Sequence, residues 1–194
     1  MLPIVLASSS PYRRQLIEKL GISFSTASPD IDESPQTGES PADLAKRLSE
    51  NKAKALAADY PNHLIIGSDQ VAELHGKPLG KPGNHQAATA QLQSASGHIL
   101  HFHTGLALFN SQTGTLQYAN ATYTVKFRSL SDSQIESYLS REKPYDCAGS
   151  FKSEGLGIAL FEYIRGDDPN SLIGLPLIEL TRMLLNEGID ILGN

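Results

Sequence analysis

The strongest constraint on this chain is a pair of long strand-like runs, Ile99 to Phe109 and Leu116 to Arg128, separated only by a polar turn containing Gly114. Runs of that length with so short a link form an antiparallel hairpin. Strand and helix signals alternate around it. Leu2 to Ala7 is an apolar run that reads as a buried strand; Ser10 then stands as an N-cap with Pro11 at the first helical position, and Gly21 stops that helix. Ser28 to Glu39, with two prolines and four carboxylates, reads as a loop, and Ser40-Pro41 opens a longer helix to about Ala58. Leu64-Ile-Ile-Gly67 reads as a short buried strand ending at Ser68-Asp69, with a hairpin turn at His75-Gly76 and a helix capped by Asn84 running through Ala95. Ser131 with Gln134 makes a capping-box pattern for a helix through Leu139. A glycine-rich stretch, Gly149 to Gly157, leads into another strand, and a last helix runs from Pro176 to Glu187 before Gly188. Helices interleave with strands, yet the hairpins are antiparallel, so the expected fold is a mixed-sheet α/β domain and not a doubly wound one. At 194 residues, one domain spanning 1–194 is expected, burying roughly 70% of its unfolded surface.

Charge narrows the function. Sixteen Lys+Arg against 21 Asp+Glu leave a formal net charge of −5. That balance argues against a protein that coats nucleic acid or lies on an anionic membrane. It leaves room for a small anion held by a few convergent cations. The lone cysteine, Cys147, excludes an internal disulfide framework and an all-cysteine zinc site. The N-terminal apolar run is short and lacks a preceding basic region, and no run approaches the ~20 apolar residues of a membrane span. A soluble cytoplasmic protein is the expectation.

Two phosphate motifs are absent. Gly76-Lys-Pro-Leu-Gly80-Lys81-Pro82 has too few residues between its glycines for a P-loop, and no hydroxyl follows the lysine. Gly155-Leu-Gly157 has Leu160 where a dinucleotide fingerprint needs its third glycine. Four other features carry possible chemistry. Ser8-Ser-Ser-Pro-Tyr12-Arg13-Arg14 joins a strand to a helix N-terminus, and it reads equally as an anion site or as a well-capped surface helix. Asp69 at a strand end, with Glu33 in the acidic loop, suits a divalent cation or a positioned water. The plainer local reading makes Asp69 a turn cap and the loop acids solvated. Lys52 falls inside the apolar stripe of Leu44, Leu48, Ala55 and Leu56, where a lysine either snorkels out or meets an anion. Lys81 sits in a stiff loop before Pro82. His101 and His103 share a strand face but have no third ligand at metal-like spacing, so an exposed strand face is expected there. Cys147 reads as packed, with nothing nearby to activate it.

In order along the chain, Leu6-Ala-Ser-Ser-Ser-Pro-Tyr-Arg-Arg14, Asp32-Glu33, Lys52-Ala-Lys54, Gly67-Ser-Asp69, Gly80-Lys81-Pro82, Ser96-Gly97, Thr104-Gly105, Ala148-Gly149 and Gly174-Leu-Pro176 resemble the Maf family of nucleotide pyrophosphatases over nearly the whole chain. The resemblance implies two lobes around a central cleft, a homodimer, and metal-dependent cleavage of a nucleoside triphosphate to the monophosphate and pyrophosphate. By position it makes Asp69 the proton acceptor for water, with Glu33 assisting and both holding a divalent cation (Mg, Mn or Co). Ser8, Arg13, Lys52 and Lys81 would hold the triphosphate. Gly67-Ser-Asp69-Gln70 and Gly149-Ser-Phe-Lys-Ser-Glu154-Gly155 depart from the branch that acts on dTTP and UTP. They resemble the branch acting on 7-methyl-GTP, which places specificity at Tyr12, Gln70 and Glu154. A nucleotide-binding regulator with little turnover is the reading from a different class.

Overall fold

The computed structural model describes residues 2–193. Its seven strands and six α-helices alternate along the chain: β1 (Ile4–Ala7), α1 (Pro11–Glu18), β2 (Ser25–Ala27), α2 (Pro41–Ala55), β3 (Leu64–Leu74), β4 (Lys77–Leu79), α3 (His85–Ala95), β5 (Ile99–Asn110), β6 (Thr115–Phe127), α4 (Asp132–Glu142), β7 (Phe161–Arg165), α5 (Pro169–Ile173) and α6 (Leu177–Asn186). All strands join one sheet in the order β2-β1-β3-β5-β6-β7, with β4 also on β3. β1 pairs in parallel with β2 and β3, and every other pairing is antiparallel. The mixed sheet expected from the hairpins is the one that forms. β5 and β6 pair from Ile99↔Lys126 to Asn110↔Thr115, and Ser131 and Gln134 complete both halves of the capping box.

Four details differ from the sequence reading. β3 does not stop at Asp69; it continues to Leu74, so Asp69 lies in mid-strand. The extension exists because β5 supplies a partner for every residue from Leu64 to Glu73. α2 ends at Ala55, and Ala55 is exposed; the buried stripe is Leu44, Ala45, Leu48, Ser49, Lys52 and Ala53. The sequence pattern showed neither β2 nor α5, which are three and five residues long. His101 and His103 are half-buried, not exposed, and His103 Nε2 lies 2.7 Å from Glu73 Oε2 across the sheet.

The length of β3 creates the cleft. β5 occupies one edge of β3 throughout. On the other edge β1 pairs only at Leu64–Ile66 and β4 only at Ala72–Leu74. Residues 67–71 are therefore left without a strand on that side. The long strands also carry two apolar cores. One gathers Leu92, Leu100, Phe102, Val125, Phe127, Ile135 and Leu139 beyond that gap. The other gathers Leu6, Ile17, Leu64, Ile66, Leu106, Leu180 and Leu184 before it. These are two lobes on shared strands, with the unpaired stretch of β3 between them.

Candidate active site

α2 reaches the sheet because two strand positions lack side chains. A Cβ at Gly67 would overlap the backbone carbonyl of Ser49, and one at Gly105 would overlap that of Ala45. Gly105 lies directly across from Asp69 in the β3–β5 register. Ala45, Ser49 and Ala53 on the helix are small and fully buried, so backbone lies on backbone here. That approach brings Lys52, one turn further along α2, against the central strand. Its Nζ sits 2.6 Å from Asp69 Oδ1 and 2.7 Å from Glu33 Oε1. Lys52 and Asp69 are 7% and 8% exposed, whereas the Glu33 side chain remains 58% exposed at the mouth. A lysine in an apolar stripe had two possible fates; this one meets anions.

Asp69 and its neighbours Ser68 and Gln70 point to opposite faces, as alternation on a strand requires. Ser68 Oγ donates to the carbonyls of Gly105 (2.8 Å) and Gly174 (3.1 Å). Arg13 Nε donates to the same Gly174 carbonyl at 2.8 Å, and Arg13 Nη1 donates to Ser8 Oγ at 3.4 Å. Gly174 has φ 129°, a conformation that favours glycine, and it lies in van der Waals reach of the Arg13 side chain. The Ser10 hydroxyl caps α1 by accepting from the Arg13 N–H, which places the segment Ser8–Arg13 across the end of β1. Burial lowers the pKa of Arg13, and the nearby charges of Asp69 and Glu33 oppose that shift. Burial raises that of Glu33, but a hydrogen bond from Lys52 and the charges of Lys52, Lys81 and Arg13 together hold it below the usual carboxylate range. Lys81 is exposed in the loop after β4 and faces the same acid, with Pro82 buried behind it.

All nine residues singled out from the sequence line one cleft of about 650 Å³: Ser8, Tyr12, Arg13, Glu33, Lys52, Asp69, Gln70, Lys81 and Glu154. Gln70 is held in an unexpected way. Its Nε2 donates to Thr104 Oγ1 and to the carbonyls of Ser171 and Leu172, so the side chain ties the floor of the cleft to α5. The motifs contained Ser68, Thr104 and Gly174 without revealing their tasks, and Ser171 and Asp168 escaped the sequence reading. The Gly174 carbonyl, which also accepts from Ser68, holds Arg13, while Thr104 and Ser171 hold Gln70. Buried Asp168 caps α5 through the Asn170 N–H and reaches the Ile178 N–H at the start of α6. The dipeptide Asp168-Pro169, an N-cap followed by proline at the first helical position, was the available signal for that corner. Cys147 also lines the cleft, and burial, with Asp146 beside it, pushes its thiol up to about 12. That shift disfavours the thiolate, which is the nucleophilic form.

Among the described residues, no group of three or more His, Cys, Asp or Glu side chains forms a metal cage. Two carboxylates gathered on one ammonium are nonetheless a donor set that fits Mg²⁺ or a similar hard cation, which takes one or two protein carboxylates and completes its shell with phosphates and water.

The fold and the cleft together define a mixed-sheet α/β protein whose central cleft gathers three basic and three acidic side chains of the site, and comparison with known sequences resolves it further. The chain belongs to the Maf family: the profile of Maf-like protein matches residues 3–187. It is 55% identical over 192 residues to a 7-methyl-GTP pyrophosphatase of Methylobacillus flagellatus, covering 99% of this chain and 100% of that protein. It is 55% identical over 188 residues to a 7-methyl-GTP pyrophosphatase of Pseudomonas aeruginosa, covering 97% and 98% respectively. No helix among the described residues is long and apolar enough to cross a membrane.

Proposed function

We propose that this chain hydrolyses 7-methyl-GTP to 7-methyl-GMP and pyrophosphate, working as a single catalytic domain. The observation that carries the chemistry is the clasp of Lys52 by Asp69 and Glu33 in a cleft also lined by Ser8, Arg13 and Lys81. The full-length similarity to two 7-methyl-GTP pyrophosphatases supports the substrate.

Cleavage between the α and β phosphates needs a water deprotonated as it attacks the α-phosphorus, and a leaving group whose charge is met as the P–O bond breaks. Asp69 accepts the water's proton. Its position in mid-strand, braced by β5 behind and α2 above, keeps that acceptor fixed. Lys52 shifts from its two carboxylates toward the triphosphate, while Arg13 and Lys81 meet the charge that develops on the departing pyrophosphate. Ser8 adds a hydroxyl donor at the end of β1. Asp69 and Glu33 would hold a divalent cation, which would supply Lewis-acid polarisation of the phosphates. At the far end Tyr12 offers an aromatic face. The Glu154 carboxylate accepts the N1–H and N2–H₂ donors that guanine has and uracil lacks. Gln70 keeps the floor between the two ends. N7-methylation makes the base cationic, so stacking on Tyr12 gains a cation–π component.

Pyrophosphate release measured across methylated and unmodified nucleoside triphosphates, with Mg²⁺, Mn²⁺ or Co²⁺, tests this reading. Turnover of 7-methyl-GTP should lead and vanish on chelation; UTP or dTTP running well ahead of it would sink the substrate assignment. Asp69→Asn should abolish release in a protein that still folds. The family resemblance supports a cytoplasmic homodimer; sedimentation of the purified protein tests the dimer, and fractionation of cells tests the location.

A further inference from the structure

The cleft is electrically polarised beyond what the triphosphate requires. Arg13, Lys52 and Lys81 surround Glu33 at one end. The opposite end, around Tyr12, has a different character. Asp146 and Glu154 both line it, both are exposed to it, and neither makes an ion pair among the described residues. Asp146 receives only a weak bond from the Cys147 thiol at 3.5 Å, and Glu154 only one from Ser153 at 3.3 Å. Asp146 and Tyr12 line the same cleft, and burial first, then the charges of Cys147 and Asp146, raise the pKa of the Tyr12 phenol. One cation, Lys152, faces the same phenol. Two carboxylates against one ammonium leave this end a charge short of neutrality. A cleft with three cations against the two carboxylates Glu33 and Asp69 at one end, and a surplus carboxylate at the other, is complementary to a ligand that is anionic in its phosphates and cationic in its base.

We propose that Asp146 is a specificity residue, whose carboxylate supplies the counter-charge that selects an N7-alkylated, cationic purine over the neutral purine. This inference rests on the pyrophosphatase reading of the same site and assigns a separate task within it. Glu154 reads the guanine donor edge, so it separates guanine from pyrimidines. Asp146 responds to the charge that only methylation confers. Cys147, kept as a neutral thiol, adds no competing negative charge to that role.

The test compares kcat/KM for 7-methyl-GTP and for GTP in the wild type, Asp146→Asn and Asp146→Glu, at low and high salt. Because Asp146 is exposed, Asp146→Asn should melt with the wild type. The expected result is a loss of about fivefold in the 7-methyl-GTP to GTP ratio, the size of one partly screened charge pair, with GTP turnover unchanged. Asp146→Glu should restore the ratio, and high salt should lower it in the wild type but not in Asp146→Asn. An unchanged ratio in Asp146→Asn overturns the proposal, and so does an equal fall for both substrates. A wild type that turns over other triphosphates but shows no preference for the methylated one would overturn the substrate assignment itself, and with it any discrimination for Asp146 to perform.

Discussion

Replacing Lys52 with Met separates the two things this lysine does. Methionine keeps the length and the apolar stem but removes the ammonium, leaving Asp69 without its partner at 2.6 Å while still only 8% exposed. Breaking a buried pair from one side costs on the order of 3–5 kcal/mol when no water reaches the survivor. Here Asp69 lines an open cleft, so solvent relieves part of that cost, and the second carboxylate, Glu33, is more than half exposed and adds little. The expected loss is about 2 kcal/mol, or a fall in Tm of roughly 4–8 °C for a chain of this size. The double variant Lys52→Met, Asp69→Leu removes both charges and should recover most of that loss, since the penalty is an unpaired carboxylate and not missing packing. Its pyrophosphatase activity should stay absent. Urea and thermal unfolding of the wild type, the single variant and the double variant, with pyrophosphate release beside them, form the assay. A Lys52→Met protein that melts with the wild type would refute the reasoning, as would a double variant less stable than the single.

Three further outcomes follow from the same geometry. Gly67→Ala and Gly105→Ala should each lower stability by about 1–3 kcal/mol, because the new methyl group overlaps backbone of α2 that cannot rotate away; activity should fall with it as Lys52 is displaced, and a thermal melt coincident with the wild type would show that α2 does not lie on the sheet this closely. The Cys147 thiol, pushed up to about 12, should react with an aromatic disulfide at pH 8 far more slowly than the same thiol in urea, and equal rates would contradict its burial. The hydrogen bond from Arg47 holds Glu39 at about 2, below the ordinary 4.5, so its contribution to stability is complete above pH 4.5 and is lost as the pH falls toward 2. Glu39→Gln should therefore flatten the decline of the urea midpoint across that window, and an unchanged slope would place the acid sensitivity elsewhere.

Much of the architecture was written in local signals. Caps at Ser10, Ser40, Asn84 and Ser131, each followed by a helix, and the turns at His75-Gly76 and Gly114 set element boundaries through backbone hydrogen bonds and positive φ values, which involve only a few neighbouring residues. The short β2 and α5 escaped because three to five residues carry no period, and their existence depends on β1 and on the Asp168 corner. Asp69 was misplaced at a strand end because what prolongs β3 is the pairing with β5 some 36 residues later, which no local pattern records.

The site divides the same way. By itself the sequence determined the chemical inventory: hydroxyls at a helix start, an acid after an apolar strand, a lysine in an apolar stripe, and motifs that mark the family. It left open whether Ser8 to Arg14 was an anion site, and whether Asp69 and Glu33 were more than a turn cap and solvated acids. The tertiary structure decided that Lys52 joins Asp69 to Glu33, that Gly174 holds Arg13, and that Gln70 anchors α5. Those partners lie 17 to 161 residues apart for the direct bonds of Lys52 to Asp69 and Arg13 to Gly174. The physical reason is that a side chain's type is a property of one residue, whereas its charge partner and its burial are properties of the packing. Two glycines that let a helix lie on a sheet convert the first into the second.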